Sequence, residues 1–99
     1  MDLEDIIERI GILRNRTNLS ARALSIAIDK NPRYINRLET QRDFIPTITV
    51  ILDIIKACNS TPEEFFYQDI FEYKADKQTL NFLKTLTEKQ KNAIMNLYE

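Results

Sequence analysis

Histidine does not occur in this 99-residue chain, and cysteine and glycine occur once each, as Cys58 and Gly11. Without histidine and with one cysteine, no His/Cys metal site can be assembled and no disulfide can close within the chain. A hydrolytic centre would need a nucleophile beside a base, or a metal cluster, and the chain offers no histidine and no paired-cysteine motif toward either. The sequence therefore speaks against an enzyme and calls for no cofactor and no metal. No apolar run approaches the 18 residues or so that a membrane span requires. The opening "MDLEDIIERI" is acidic and amphipathic, unlike a secretory signal or a transit peptide. A cytoplasmic protein is the expectation. Cys58 lies in an apolar helical stretch with Lys56 as its one basic neighbour, which reads as an inert core thiol.

What is present is a chain 43% hydrophobic, enough for a real core in one domain with a small appendage. The net charge of −1 hides a segregation along the chain. Residues 1–8 carry four acids and no side-chain base, and residues 43–76 carry seven acids against Lys56 and Lys74. Between them, residues 9–42 hold eight basic side chains against Asp29 and Glu39, a balance of +6. Such a block raises the prospect of a basic face.

Periodicity is helical throughout, with no strand pattern. Leu3, Ile6, Ile7, Ile10 and Leu13 follow one helix face, with acids in the first turn and Arg14 and Arg16 in the last, matching the helix dipole. Gly11 inside this helix costs about 1 kcal/mol against alanine, and close approach of another helix is the expected reason. Ser20 caps a second helix with Leu24, Ala27 and Ile28 inward. Asp29 occupies a turn position that wants a left-handed backbone. In "KNPRYINRLE", Pro32 suits a first helical position and Asn31 its cap, so a helix is predicted over 32–39 with Ile35 and Leu38 inward and Tyr34 at the edge. Thr47 caps a fourth helix with a stripe of Ile48, Ile51, Leu52 and Ile55, and Asn59 stops it. "TPEE" reads as Thr61 cap, Pro62 at the first position and Glu64 closing a capping box, leading into Phe65 and Phe66. After a connector at 67–74, residues 75–99 read as a helical hairpin with a second capping box at Thr87 and Gln90.

The segments "LSARALSIAIDKNPRYINRLETQRDFIPT" and "ILDIIKACNSTPEEFF" together resemble the XRE (Cro/phage-repressor-like) helix-turn-helix transcriptional regulators. The likeness rests on Leu19–Ser20, Ile28–Asp29, Ile35, Leu38–Glu39, Pro46–Thr47 and Thr61–Phe66, and covers residues 3 to 66. Ala21 stands where the family often has glutamine, Asp29 where it has the turn glycine, Lys30 where an apolar residue follows, and Gln41 where glycine follows the recognition helix. The resemblance implies an all-α protein: a five-helix phage-repressor-like helix-turn-helix domain over 1–66, followed by the connector and the hairpin. It also implies sequence-specific binding of double-stranded DNA by a transcriptional regulator, a repressor, with helix 32–39 in the major groove.

In such a motif the first helix braces the backbone while the second enters the groove. Base-edge candidates are then Asn31, Arg33, Tyr34, Asn36 and Arg37, since arginine can pair bidentately with guanine and asparagine with adenine. Phosphate candidates are Ser20, Arg22, Thr40, Gln41 and Arg42, which orient without specifying. Glu39 reads as structural. Reading two half-sites needs a homodimer, for which the hairpin offers Leu80, Leu83, Leu86, Ile94, Leu97 and Tyr98. The length leaves no room for a small-molecule domain, so a protein partner is the expected signal input. The rival expectation is a protein-interaction module of the same fold, antitoxin-like or anti-repressor-like, with little DNA binding of its own.

Overall fold

The computed structural model describes residues 1–96, without the side chains of Lys91, Ile94 and Asn96. Among the described residues the chain is all-helical, with seven helices: α1 (Leu3–Arg16), α2 (Ala21–Ala27), α3 (Tyr34–Thr40), α4 (Ile48–Ala57), α5 (Pro62–Phe65), α6 (Tyr73–Lys84) and α7 (Glu88–Asn96). None of them is long and apolar enough to cross a membrane. The chain forms two compact units, one over Met1–Tyr67 and one from Gln68 onward.

Local chemistry sets the helix boundaries of the first unit. Asp2, Ser20, Thr47 and Thr61 each accept a backbone N–H three residues on with a side-chain oxygen, satisfying donors that a helix start leaves orphaned. The Asp2 cap is reciprocal, because Asp5 accepts the Asp2 N–H in return. At the other ends, Asn18, Asp29 and Asn59 take left-handed φ values of 56°, 57° and 54°. The next residue in each case reverses the chain and donates back into the helix: Leu19 to the Arg14 carbonyl, Lys30 to that of Ser25 and Ser60 to that of Ile55. These are Schellman closures, usually built on glycine. A chain with one glycine builds them on Asn and Asp, the side chains that tolerate this backbone best.

Packing then follows from the inward faces. Ile7, Ile10 and Leu13 of α1, Leu24 and Ile28 at α2, Ile35 and Leu38 of α3, Val50, Ile51, Ile54 and Ile55 of α4, and Phe65 of α5 are all buried. Burying each such side chain contributes roughly 1.5–3 kcal/mol. Cys58 joins this core, and its burial pushes the thiol up from its ordinary pKa, as suits a packing residue.

Several expectations are corrected. Ile48 and Leu52 are exposed, at 59% and 42%. The apolar residues of α4 form two overlapping rows at helical spacing, and the row through Val50, Ile51, Ile54 and Ile55 is the one that continues into buried Cys58. Ala27 is exposed and Ser25 takes the buried place. A Cβ on Gly11 would meet nothing within 4 Å, so no helix presses against it. Glu64 does not close a box on Thr61; its buried carboxylate accepts from the Ser60 hydroxyl and the Arg16 guanidinium. The third helix begins at Tyr34 rather than Pro32, and α6 begins at Tyr73, inside the expected connector.

In the second unit, Thr87 and Gln90 exchange the two hydrogen bonds of a capping box at the start of α7. No residue of α6 is buried. Leu80 and Phe82 are exposed, whereas Leu83 and Leu86 are half-buried. Of the expected dimer residues, the Ile94 side chain and all of Leu97 and Tyr98 lie outside the described residues.

Candidate nucleic-acid interface

The outward face of α3 is built from its first turn. Asn31, Pro32 and Arg33 form a tight turn in which the Asn31 Oδ1 accepts the Arg33 N–H at 2.9 Å and the Asn31 carbonyl accepts the Tyr34 N–H at 2.8 Å. Such an Asx turn holds a chain entering a helix. It leaves the Ile35 N–H, an orphan of the first helical turn, without a local partner. That partner comes from α2: the Ser25 hydroxyl accepts it at 3.0 Å while donating to the Ala21 carbonyl at 2.8 Å. Ser25 is fully buried, so the bond fixes α3 to α2 where water cannot compete. Asn31 is thus a turn residue, and the cap that sequence assigned to it is supplied across the helix pair.

With Ile35 and Leu38 fully buried, α3 turns Asn36 and Arg37 outward, and Arg33 at its N-cap is exposed beside them. A groove of about 530 Å³ opens there, lined by Asn31, Arg33, Tyr34, Arg37 and Phe44. Four of the five base-edge candidates therefore share one concavity; Asn36 does not line it. Phe44, from the loop after α3, was not among the candidates. Its ring meets that of Tyr34 with centroids 5.4 Å apart, and the Arg37 guanidinium lies 5.1 Å from its centroid. Lys30 approaches the Tyr34 ring at 5.7 Å. Partial burial raises the Tyr34 phenol above its ordinary pKa, so it stays neutral and keeps its O–H as a donor. Arg37 also pairs with Asp43 at 3.2 Å. The one hint of this arrangement in the sequence is an aromatic residue, Phe44, directly after the polar run "TQRD".

The phosphate candidates scatter. The Ser20 hydroxyl caps α2, and Arg22 and Gln41 are exposed. Arg42, itself at a left-handed φ of 54°, directs its guanidinium back to the Glu4 carboxylate and the Glu39 carbonyl. Thr40 and Arg42 line a separate depression together with Glu4, Glu8, Arg14 and Glu39, where each arginine is paired with a carboxylate. The Arg42 guanidinium is thus engaged within the first unit while its side chain stays 43% exposed.

The basic block is also redistributed. Arg14 grips Glu39 with two bonds of 2.9 and 3.0 Å, tying α1 to α3. Arg16 pairs with Glu64, and Arg9 donates to the carbonyls of Phe65 and Tyr67 at the end of α5. With Arg42 on Glu4, half of the eight basic residues in 9–42 brace the first unit. Those left toward solvent around α3 are Arg22, Lys30, Arg33 and Arg37, so the +6 block is not a +6 face.

Comparison with protein-family models, with curated proteins and with solved structures found no match to this chain.

Proposed function

We propose that the protein is a cytoplasmic, sequence-specific binder of double-stranded DNA, a transcriptional repressor of the phage-repressor-like helix-turn-helix kind. In this reading α2 and α3 form the helix-turn-helix, with α3 lying in the major groove. The observation that carries it is the α3 face itself. A seven-residue helix has its inner side sealed by Ile35 and Leu38, and its start bolted to α2 by Ser25. Its outer side presents Asn36 and Arg37, with Arg33 at its N-cap, the side-chain types that read base edges in pairs of hydrogen bonds. A major groove admits one helix of this size. Specific reading of an extended site would come from a homodimer assembled through the helices after Gln68.

A second reading is a protein-interaction module. It is favoured by the internal use of Arg9, Arg14, Arg16 and Arg42, which leaves the surface less basic than the sequence suggests.

Selection of bound duplexes from a random pool, followed by salt titration, tests the choice. Two copies each placing two or three cations on phosphates give a log–log salt slope of roughly −4 to −5. The expected selection product is a two-fold symmetric site. Absence of duplex binding at low salt would assign the α3 face to a protein partner instead.

A further inference from the structure

Arg37 is the one α3 cation with both a platform and a counter-charge. Its guanidinium lies over the Phe44 ring at 5.1 Å, and its Nη2 donates to the Asp43 carboxylate at 3.2 Å. Both partners come from the loop that follows α3, which neither the helical spacing nor the helix-turn-helix pattern singles out. Nε and Nη1 have no partner among the described residues, and Nη2 keeps its second N–H. The side chain is 56% exposed and borders the groove of Asn31, Arg33 and Tyr34.

Resting on the DNA-binding reading, we infer that Asp43 is a specificity-determining residue that makes Arg37 a base reader instead of a phosphate anchor. A carboxylate beside the guanidinium cancels most of its net charge as seen by a distant anion. Attraction to any phosphate, which depends on net charge and counterion release, is weakened. Hydrogen bonding to the neutral O6/N7 edge of guanine depends on donors held in place, and these remain. Phe44, with its ring centroid 5.1 Å from the guanidinium, gives that group a surface to rest on, so fewer rotamers must be frozen when both donors engage one base. Together the two loop residues lower non-specific affinity more than specific affinity.

The test uses the full chain and two probes: the best duplex recovered from a random pool by the wild type, and a random-sequence duplex of equal length. Asp43→Asn is near-isosteric at a half-exposed position, so the fold is retained. It should tighten random-duplex binding roughly two- to fivefold, the size of an exposed ion pair, while leaving the selected duplex nearly unchanged. The ratio of the two affinities should fall by the same factor, and the random-duplex salt slope should steepen by about 0.9 per protomer. With Arg37→Ala as background, Asp43→Asn should move both affinities together and leave the ratio unchanged. An unchanged ratio with Arg37 present would overturn the inference, leaving Asp43 a general surface charge. Failure of the wild type to bind any duplex at low salt would overturn the DNA-binding reading, and the inference with it.

Discussion

The hydroxyl of Ser25 in α2 accepts the backbone N–H of Ile35 in α3 at 3.0 Å, with both residues fully buried. This contact sets where the exposed face of α3 points, because it ties the first turn of that helix to a fixed position on its neighbour. The Asn31 side chain, by contrast, holds the Arg33 N–H in an exposed turn. Water can replace an exposed bond but not a buried one.

Ser25→Ala is therefore expected to lower stability by about 1–3 kcal/mol, the cost of leaving a buried N–H unpaired. Asn31→Ala should cost less, about 0.5 kcal/mol, near the low end for such local bonds. Urea unfolding followed by helical circular dichroism measures both. Equal losses would mean that α3 is anchored by its own turn and not by α2.

Gly11 gives the opposite sign. It sits inside α1, and a Cβ there meets nothing within 4 Å. Gly11→Ala should stabilise the protein by about 0.5–1 kcal/mol, since glycine in a helix interior carries an entropic penalty with no packing reason to offset it. A fall in the unfolding midpoint would show that the open space beside Glu4, Glu8 and Arg14 closes on something when the chain is in solution.

What could be read from the sequence divides by range. The caps Ser20, Thr47 and Thr61 and the stops Asp29 and Asn59 were legible because each acts over a few residues with its own side chain or backbone. The buried faces of α1 and α3 followed from spacing. The α4 face followed only in part: Ile51 and Ile55 are buried as expected, but its apolar residues fit two rows, and only packing against Cys58 and the neighbouring helices turns Ile48 and Leu52 outward. The partners of the arginines were illegible for a similar reason. Arg14–Glu39 spans 25 residues and Arg42–Glu4 spans 38, and only tertiary packing brings such pairs together. At the candidate site the outward residues of α3 were legible, whereas Asp43 and Phe44, which shape Arg37, were not.

Arg42 has one role by sequence position and another by its tertiary contacts. By sequence position it flanks a DNA groove; in the structure it is a left-handed residue paired with Glu4. Arg42→Ala keeps the strained backbone and loses the pair, so it should destabilise by about 0.5–1 kcal/mol. Arg42→Gly loses the pair but relieves a left-handed conformation that costs an ordinary residue roughly 1–2 kcal/mol, so it should be neutral or slightly stabilising. Neither should change duplex affinity by more than about twofold once stability is matched, whereas removing a phosphate contact would flatten the salt slope by about 0.9 per protomer. A flattened slope in Arg42→Gly would return Arg42 to the phosphate contacts.

The remaining expectation concerns the second unit. α6 buries none of its side chains, and its apolar residues Leu80 and Phe82 stay exposed, at 51% and 60%. Two short helices cannot hide that much apolar surface between themselves. On the proposed DNA-binding reading, a single α3 would read only a few base pairs, whereas two copies related by a two-fold axis would read half-sites about one helical turn, roughly 34 Å, apart. A second copy joined through α6 and α7 answers both needs. Light scattering should then show the full chain as a dimer at tens of micromolar. A chain ending at Tyr67 keeps the whole core of the first unit, from Ile7 to Phe65, and should be a folded monomer. Its duplex binding should be at least tenfold weaker, because losing the second half-site forfeits the gain from tethering. Leu80→Asp in the full chain should reproduce the monomer without shortening it. A truncated protein that still dimerises would move the interface into the first unit, where exposed Ile45, Ile48 and Leu52 offer the next apolar surface.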